Sequence, residues 1–133
     1  MKVAILAGGI GSRLTEEAEL KPKPMVEVGG RPLLWHIMRH SAAHDFKEFF
    51  IALGYRGEAI KRFFVDYSSL SGSLTIHLQS ENISLEIDAL EKLAGEGELA
   101  AYQHQGFWQC MDTPRDKRLL ESLWQQGNAP WTI

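Results

Sequence analysis

Apolar and polar positions along this chain fall into alternating strand-like and helix-like stretches. Residues 2–7 (KVAILA) are almost continuously apolar, which suits a strand buried on both faces. Residues 48–53 (EFFIAL) read as a second strand broken by Gly54, and residues 73–79 (SLTIHLQ) alternate like a third. Between them, Pro32 suits the first turn of a helix running to about His44, with Leu33, Leu34, Ile37 and Met38 on its apolar face. Residues 58–67 read as a second helix with Ile60, Phe63 and Phe64 buried. Strands alternating with helices predict a parallel sheet covered on both sides, a Rossmann-like α/β arrangement. The loop after the first strand then lies at the carboxyl edge of the sheet, where such folds bind ligands.

Two stretches depart from this rhythm. In Lys21-Pro22-Lys23-Pro24, each proline lacks an N–H and pushes its predecessor toward extended geometry, so Lys23 is expected in a stiff, extended segment before a turn at Gly29-Gly30. From about Asn82 the texture changes. Residues 85–93 look helical and end at Gly95 and Gly97, and residues 99–104 suit a strand before Phe107-Trp108. Thr113 or Asp112 caps a last helix, with Pro114 in its first turn, Leu119, Leu120, Leu123 and Trp124 as its apolar stripe, and Gly127 as its stop.

Composition narrows the function classes. At 133 residues and 44% hydrophobic content the chain supports one domain with a real core, 1–133, without a repeat or linker. A net charge of −3 provides no chain-wide basic field for nucleic acid or an anionic membrane. No apolar run approaches the roughly 20 residues needed to span a bilayer. The single Cys110 forms no internal disulfide and is expected to be an inert buried thiol. With no leader-like segment before the first strand, the expected compartment is the cytoplasm.

The candidate chemistry begins at residues 6–14, LAGGIGSRL. Gly8, Gly9 and Gly11 let the backbone approach a ligand closely and turn amide N–H groups toward an anion. Neither standard phosphate motif is met: the third glycine of G-x-G-x-x-G would fall at Leu14, and no Walker A spacing occurs. Glycines alone would suit a structural turn, but Arg13 adds a planar fork of donors for phosphate oxygens and Lys23 a mobile point charge. Asp112 is open to two readings, a helix cap or a metal ligand. His36, His40 and His44 recur every four residues, as metal ligands or as ordinary helix positions. Trp108, Trp124 and Trp131 suit packing, a subunit contact or stacking on a base.

Taken together, LAGGIGSRL, KPKPMVEVGGRPLLWHIM and GFWQCMDTPRDKRLLESLWQQGNAPW resemble the sugar-1-phosphate nucleotidyltransferases, of the type that joins CTP to glucose 1-phosphate. The resemblance implies a truncated Rossmann-like nucleotidyltransferase fold, three-layer α/β/α with a mainly parallel sheet. It further implies Mg2+ as cofactor, and a nucleoside triphosphate (CTP) and a sugar 1-phosphate as substrates. Residue by residue, Leu6, Ala7, Gly8, Gly9, Gly11 and Ser12 would cradle the nucleotide. Arg13 and Lys23 would act at the reacting phosphates, and Asp112 would hold the metal. The family's Gly-Asp-Gly turn with a second metal aspartate, its Glu-Lys-Pro segment with the lysine for the sugar phosphate, and its Gly-Gly-Phe stretch are absent from this sequence. Residues 1–82 match the family's nucleotide-binding beginning and 83–133 its end, with the junction near Asn82 to Leu85. In the family, a strand from the missing block pairs with the first strand, so an exposed apolar edge is expected here, and with it a homo-oligomer. This leaves an impaired enzyme, an inactive nucleotide-binding or assembly module, and a gene remnant as readings of the same sequence.

Overall fold

The computed structural model describes residues 2–8, 21–54, 56–66, 75–79, 94–98 and 103–132. Strand β1 (Val3–Ala7) opens the fold, followed by a single 3-10 turn at Lys23–Met25. Strands β2 (Glu27–Val28) and β3 (Arg31–Pro32) form a hairpin, and helix α1 (Leu33–Ala43) leaves it directly. Strand β4 (Glu48–Leu53), helix α2 (Gly57–Asp66), strand β5 (Thr75–Gln79) and helix α3 (Pro114–Gln125) complete the described elements.

The main sheet is parallel in the order β1-β4-β5, with Ile5 opposite Ile51 and Ile51 opposite Leu78. Period-two alternation therefore brings Val3, Ile5 and Ala7 onto the same face as Phe49, Ile51, Leu53, Ile76 and Leu78. That face carries the first core: Ile5, Ala7, Phe49, Ile51 and Leu53 pack with Met25, with Leu34 and Met38 of α1 and with Ile60 of α2. Ile60 is buried as expected, whereas Phe63 and Phe64 are only partly buried and pack at the margin of this core. Because each described strand adds on the same side of its predecessor, right-handed crossovers place α1 and α2 on one face.

The opposite face differs from the expectation of a first strand buried on both sides. Ala4 and Leu6 of β1 are exposed, Leu6 by 49%. A doubly wound sheet covers its second face only where the chain returns and winds the other way from its first strand, and among the described residues no strand pairs with that side of β1. The α/β parallel sheet itself stands as expected.

Several local details also differ from the sequence reading. Lys23 does not lie in an extended segment. It begins the 3-10 turn, with Met25 N–H donating to the Pro22 carbonyl at 2.8 Å and Val26 N–H to the Lys23 carbonyl at 3.1 Å. Pro24 is compatible because a first-turn position needs no N–H, and the extended geometry stops at Pro22 (φ −64°, ψ 148°). Pro32 caps α1 rather than entering it, and Ile37 is 42% exposed while Leu34 and Met38 carry the buried stripe. In α3, Leu120 is buried and Leu119 is 45% exposed, since the second core lies on one side of the helix only. Residues 103 and 104 are irregular rather than strand. The expected helix at 85–93, the rest of the 99–104 strand, and residues 67, 73 and 74 lie outside the described residues.

A second core holds α3 against the hairpin: Val26, Val28, Met111 and Leu120 are buried together, with Leu33, Trp124 and Trp131 at its edge. Gly29 and Gly30, with φ of +59° and +71°, form the two-residue turn of that hairpin, a conformation glycine adopts without steric cost. At Gly29 a side chain also has no room unless Trp124 moves, because a Cβ would fall 2.0 Å from its Nε1.

Candidate functional site

The residues singled out for phosphate chemistry divide into three groups. Ala7 is fully buried in the first core, and Leu6 points to the exposed face of the sheet. Gly8 follows β1 directly and lies against Gly54, which follows β4. A Cβ on Gly54 would meet Gly8 Cα at 2.6 Å, so the carboxyl ends of the two strands press together backbone to backbone. Gly54 thus has a packing reason to lack a side chain, independent of any ligand, while a Cβ on Gly8 would make a tight contact of 3.2 Å with Gly54 Cα. Gly9, Gly11, Ser12 and Arg13 lie outside the described residues.

Lys23 and Asp112, 89 positions apart, are brought into direct contact. The Lys23 ammonium donates to Oδ1 of Asp112 in an ion pair whose side chains remain 31% and 39% exposed. Lys23 is delivered by the 3-10 turn, where Met25 enters the first core and Val26 the second. The turn is pinned on both sides, which fixes the backbone from which Lys23 extends.

Asp112 comes from the irregular segment before α3, whose local order follows from the sequence T-P-R-D. Thr113 is the helix cap: its Oγ1 accepts from the Asp116 N–H at 3.2 Å, and Asp116 accepts in return from the Thr113 N–H at 2.9 Å, a reciprocal capping box. This decides between the two cap candidates. The Asp112 side chain is turned to Lys23. Asp116 also accepts from the Thr113 hydroxyl at 2.8 Å and from the Asp112 N–H at 3.1 Å. The Thr113 hydroxyl, foremost, and then the two main-chain N–H groups hold the Asp116 carboxyl below the usual carboxylate range. Gln109 Nε2 donates weakly to the other oxygen of Asp116 at 3.4 Å.

The remaining candidates resolve into structure. His36 is buried with both ring nitrogens engaged: Nε2–H donates to the Val28 carbonyl at 2.9 Å, and Nδ1 accepts from Trp131 Nε1–H at 3.3 Å. Burial, the largest influence, pushes its pKa below the ordinary histidine value, against the opposing pull of the Val28 and Arg31 carbonyls. His40 Nδ1–H donates to the Trp131 carbonyl at 3.2 Å, and the His44 ring meets His40 edge to face at 5.0 Å. His36 and His40 therefore grip the carboxyl-terminal segment at Trp131. Among the described residues, no group of three or more His, Cys, Asp or Glu gathers as a metal site. Trp124 and Trp131 pack at the second core, Trp131 is stacked by Phe107 at 6.0 Å, and Trp108 is 75% exposed. Cys110 is half-buried rather than buried, because its segment lies along the surface before α3.

Sequence reasoning missed two residues that organise this region. Asp116 was legible in principle, as the fourth residue of a Thr-x-x-Asp capping pattern. Glu121 had no local signal. Its carboxylate accepts from the Gly29 N–H at 2.8 Å, tying the middle of α3 to the hairpin turn.

Comparison with known proteins places this geometry in a family. The pattern of the MobA-like NTP transferase domain matches residues 3–131. Glucose-1-phosphate cytidylyltransferase of Salmonella typhimurium is 27% identical over an alignment of 253 positions that takes in 98% of each chain. Since this chain has 133 residues, a long block of that relative faces no residue here. A probable glucose-1-phosphate cytidylyltransferase of Bacillus subtilis is 41% identical over 85 residues, covering 64% of this chain and 34% of the relative. Among solved structures, HddC from Yersinia pseudotuberculosis, complexed with GMP-PN, superposes with a TM-score of 0.55 and 27% identity over 74% of this chain and 43% of its own. This chain thus spans less than half of that structure and about a third of the Bacillus relative. With the family pattern running nearly end to end, the chain belongs to the MobA-like NTP transferase domain family and is a shortened member of the nucleotidyltransferase fold.

Proposed function

We propose that this chain binds CTP together with Mg2+, and that it is a glucose-1-phosphate cytidylyltransferase by descent whose turnover is impaired by the missing middle block. The observation that carries the reading is the meeting of Lys23 and Asp112 across 89 positions, held by two separate cores. The two glucose-1-phosphate cytidylyltransferase relatives favour cytosine as base, and the GMP-PN complex of HddC supports a nucleotide on this fold.

In the proposed reaction a phosphate oxygen of glucose 1-phosphate attacks the α-phosphorus of CTP. The new P–O bond forms as the bond to the bridging oxygen breaks, and pyrophosphate leaves with that electron pair. Lys23 supplies positive charge to those phosphates, together with Arg13, while the backbone at Gly8, Gly9, Gly11 and Ser12 cradles them. A magnesium ion fits a donor set of one carboxylate completed by substrate phosphates and water, and Asp112 is the residue that would hold it. When bound, the ion would neutralise phosphate charge.

The absent lysine for the sugar phosphate weighs more on turnover than on nucleotide binding. Orientation of an attacking group contributes about 7–11 kcal/mol to catalysis, whereas the triphosphate partners are retained. The exposed face of β1 supports self-association, and a purely monomeric species in analytical ultracentrifugation would count against it.

Calorimetric titration with CTP and MgCl2, followed by a pyrophosphate-release assay with glucose 1-phosphate, tests the reading. Saturable CTP binding weakened at least about tenfold in Lys23→Ala, with little or no pyrophosphate release, is the expected result. Absence of CTP binding by the folded wild type sinks the proposal. Turnover near about 10 s−1, the ordinary enzyme range, removes its claim of impairment.

A further inference from the structure

Two aspartates four positions apart, Asp112 and Asp116, straddle the start of α3, and with one metal aspartate absent they suggest a carboxylate pair acting together. The hydrogen bonds assign them different work. Oδ2 of Asp116 already receives three donors, the Thr113 N–H, the Thr113 hydroxyl and the Asp112 N–H. An oxygen so engaged would have to give up local bonds to approach a cation or a phosphate. Asp112 instead reaches across to Lys23.

The third of those donors is the informative one. A capping box requires the Thr113 N–H alone; the bond from the Asp112 N–H is additional. Asp112 precedes the cap, so the hydrogen-bond ladder of α3 does not hold its main chain. Asp116 thus grips the backbone at Asp112 and at Thr113 next to it, fixing the direction in which the Asp112 side chain leaves the chain.

We infer that Asp116 is a positioning residue, which aims the Asp112 carboxylate at Lys23 and so preorganises the phosphate end of the nucleotide site. The role in binding rests on the nucleotide reading above; the geometry of Asp112 does not. Outer-shell partners of this kind typically alter affinity about 10–100-fold when removed, because they set the orientation of the group that makes contact.

Thr113→Ala, Asp116→Ala and Asp116→Asn separate positioning from simple helix capping. Each is read by melting temperature, by hydrogen exchange of the Asp112 amide, and by CTP affinity with MgCl2 in the full chain. Thr113→Ala is expected to lower the melting temperature by a few degrees, leaving Asp112 amide protection and CTP affinity within about twofold of wild type. Asp116→Ala is expected to lower the melting temperature comparably, to speed Asp112 exchange, and to weaken CTP about 10–100-fold. Asp116→Asn, which keeps an acceptor oxygen of the same reach, should recover most of both losses. If folded Asp116→Ala behaves like Thr113→Ala in amide exchange and CTP affinity, Asp116 is only a cap and the inference is overturned. If wild type binds no CTP, the nucleotide reading fails on its own, while Asp112 exchange in the same variants still decides whether Asp116 positions it.

Discussion

The two cores of this molecule are held together by different physics. In the first, Phe49, Ile51, Leu34 and Ile60 are fully buried on one face of a parallel sheet, and apolar area does the work. In the second, the cluster around Val26, Val28, Met111 and Leu120 is smaller, and single polar contacts reinforce it. Lys23 meets Asp112, Glu121 meets the Gly29 N–H, and His36 and His40 hold the two ends of Trp131. Dispersed apolar packing tolerates small displacements, while contacts resting on one donor and one acceptor fail one by one. The candidate site lies where the two meet. The sheet core keeps the Lys23 turn in place, and the second core brings Asp112 to it.

That contrast can be broken first at the sheet. Phe49→Ala removes a fully buried ring from the first core and should cost about 3–5 kcal/mol, read as a loss of the urea midpoint for the whole chain. If only the contacts of α3 weaken while amides of β4 stay protected, the assignment of stability to the sheet is wrong.

A smaller effect is expected from Gly29→Ala. The new methyl group collides with the Trp124 indole and must adopt a positive φ, together costing about 1–3 kcal/mol. Trp124 should move toward solvent, shifting tryptophan emission to the red, with hydrogen-exchange protection of the sheet retained. A melting curve and emission spectrum unchanged from wild type would show that α3 does not rest on that turn.

The pH dependence sharpens the same comparison. His36 is neutral in the fold, and its pKa is lowered there by burial, so the unfolded chain binds more protons between the two values. Its contribution is complete above the unfolded value of about 6.5 and is lost as pH falls through the folded one. A proton on Nδ1 would also face the Trp131 N–H, donor against donor. Urea midpoints should fall from pH 8 to pH 5, with exposure of Trp131 leading, and the histidine component should vanish in His36→Gln. The same slope in that variant would assign the effect to groups other than His36.

The smallest effect on stability is expected at the site. Lys23→Met and Asp112→Asn each remove a partly exposed ion pair, worth at most about 1 kcal/mol, and should leave the melting temperature nearly unchanged. A drop as large as that of Gly29→Ala would make the pair a structural fastener rather than part of a nucleotide site.

The cores were unequally legible before the structure. Period-two and helical spacing exposed the first, because Phe49, Ile51, Ile60 and Leu34 lie within continuous local patterns. The second depended on partners 89 to 95 positions apart, such as Lys23 with Asp112 and His36 with Trp131, and no local pattern encodes such distances. Within reach of one turn, Thr-x-x-Asp was readable as a cap. That its carboxylate also grips Asp112 was not.

By itself, the sequence determined the alternation of strands and helices, the turn at Gly29-Gly30, the last helix, and the family motifs with their missing block. These are decided by spacing, backbone freedom and side-chain chemistry within a few residues. Only the tertiary structure decided that Gly54 is small because Gly8 lies against it, that Asp112 faces Lys23, and that His36 holds a tryptophan rather than a metal. Those outcomes depend on which surfaces meet when the chain closes on itself, and burial and hydrogen-bond geometry act only after that closure.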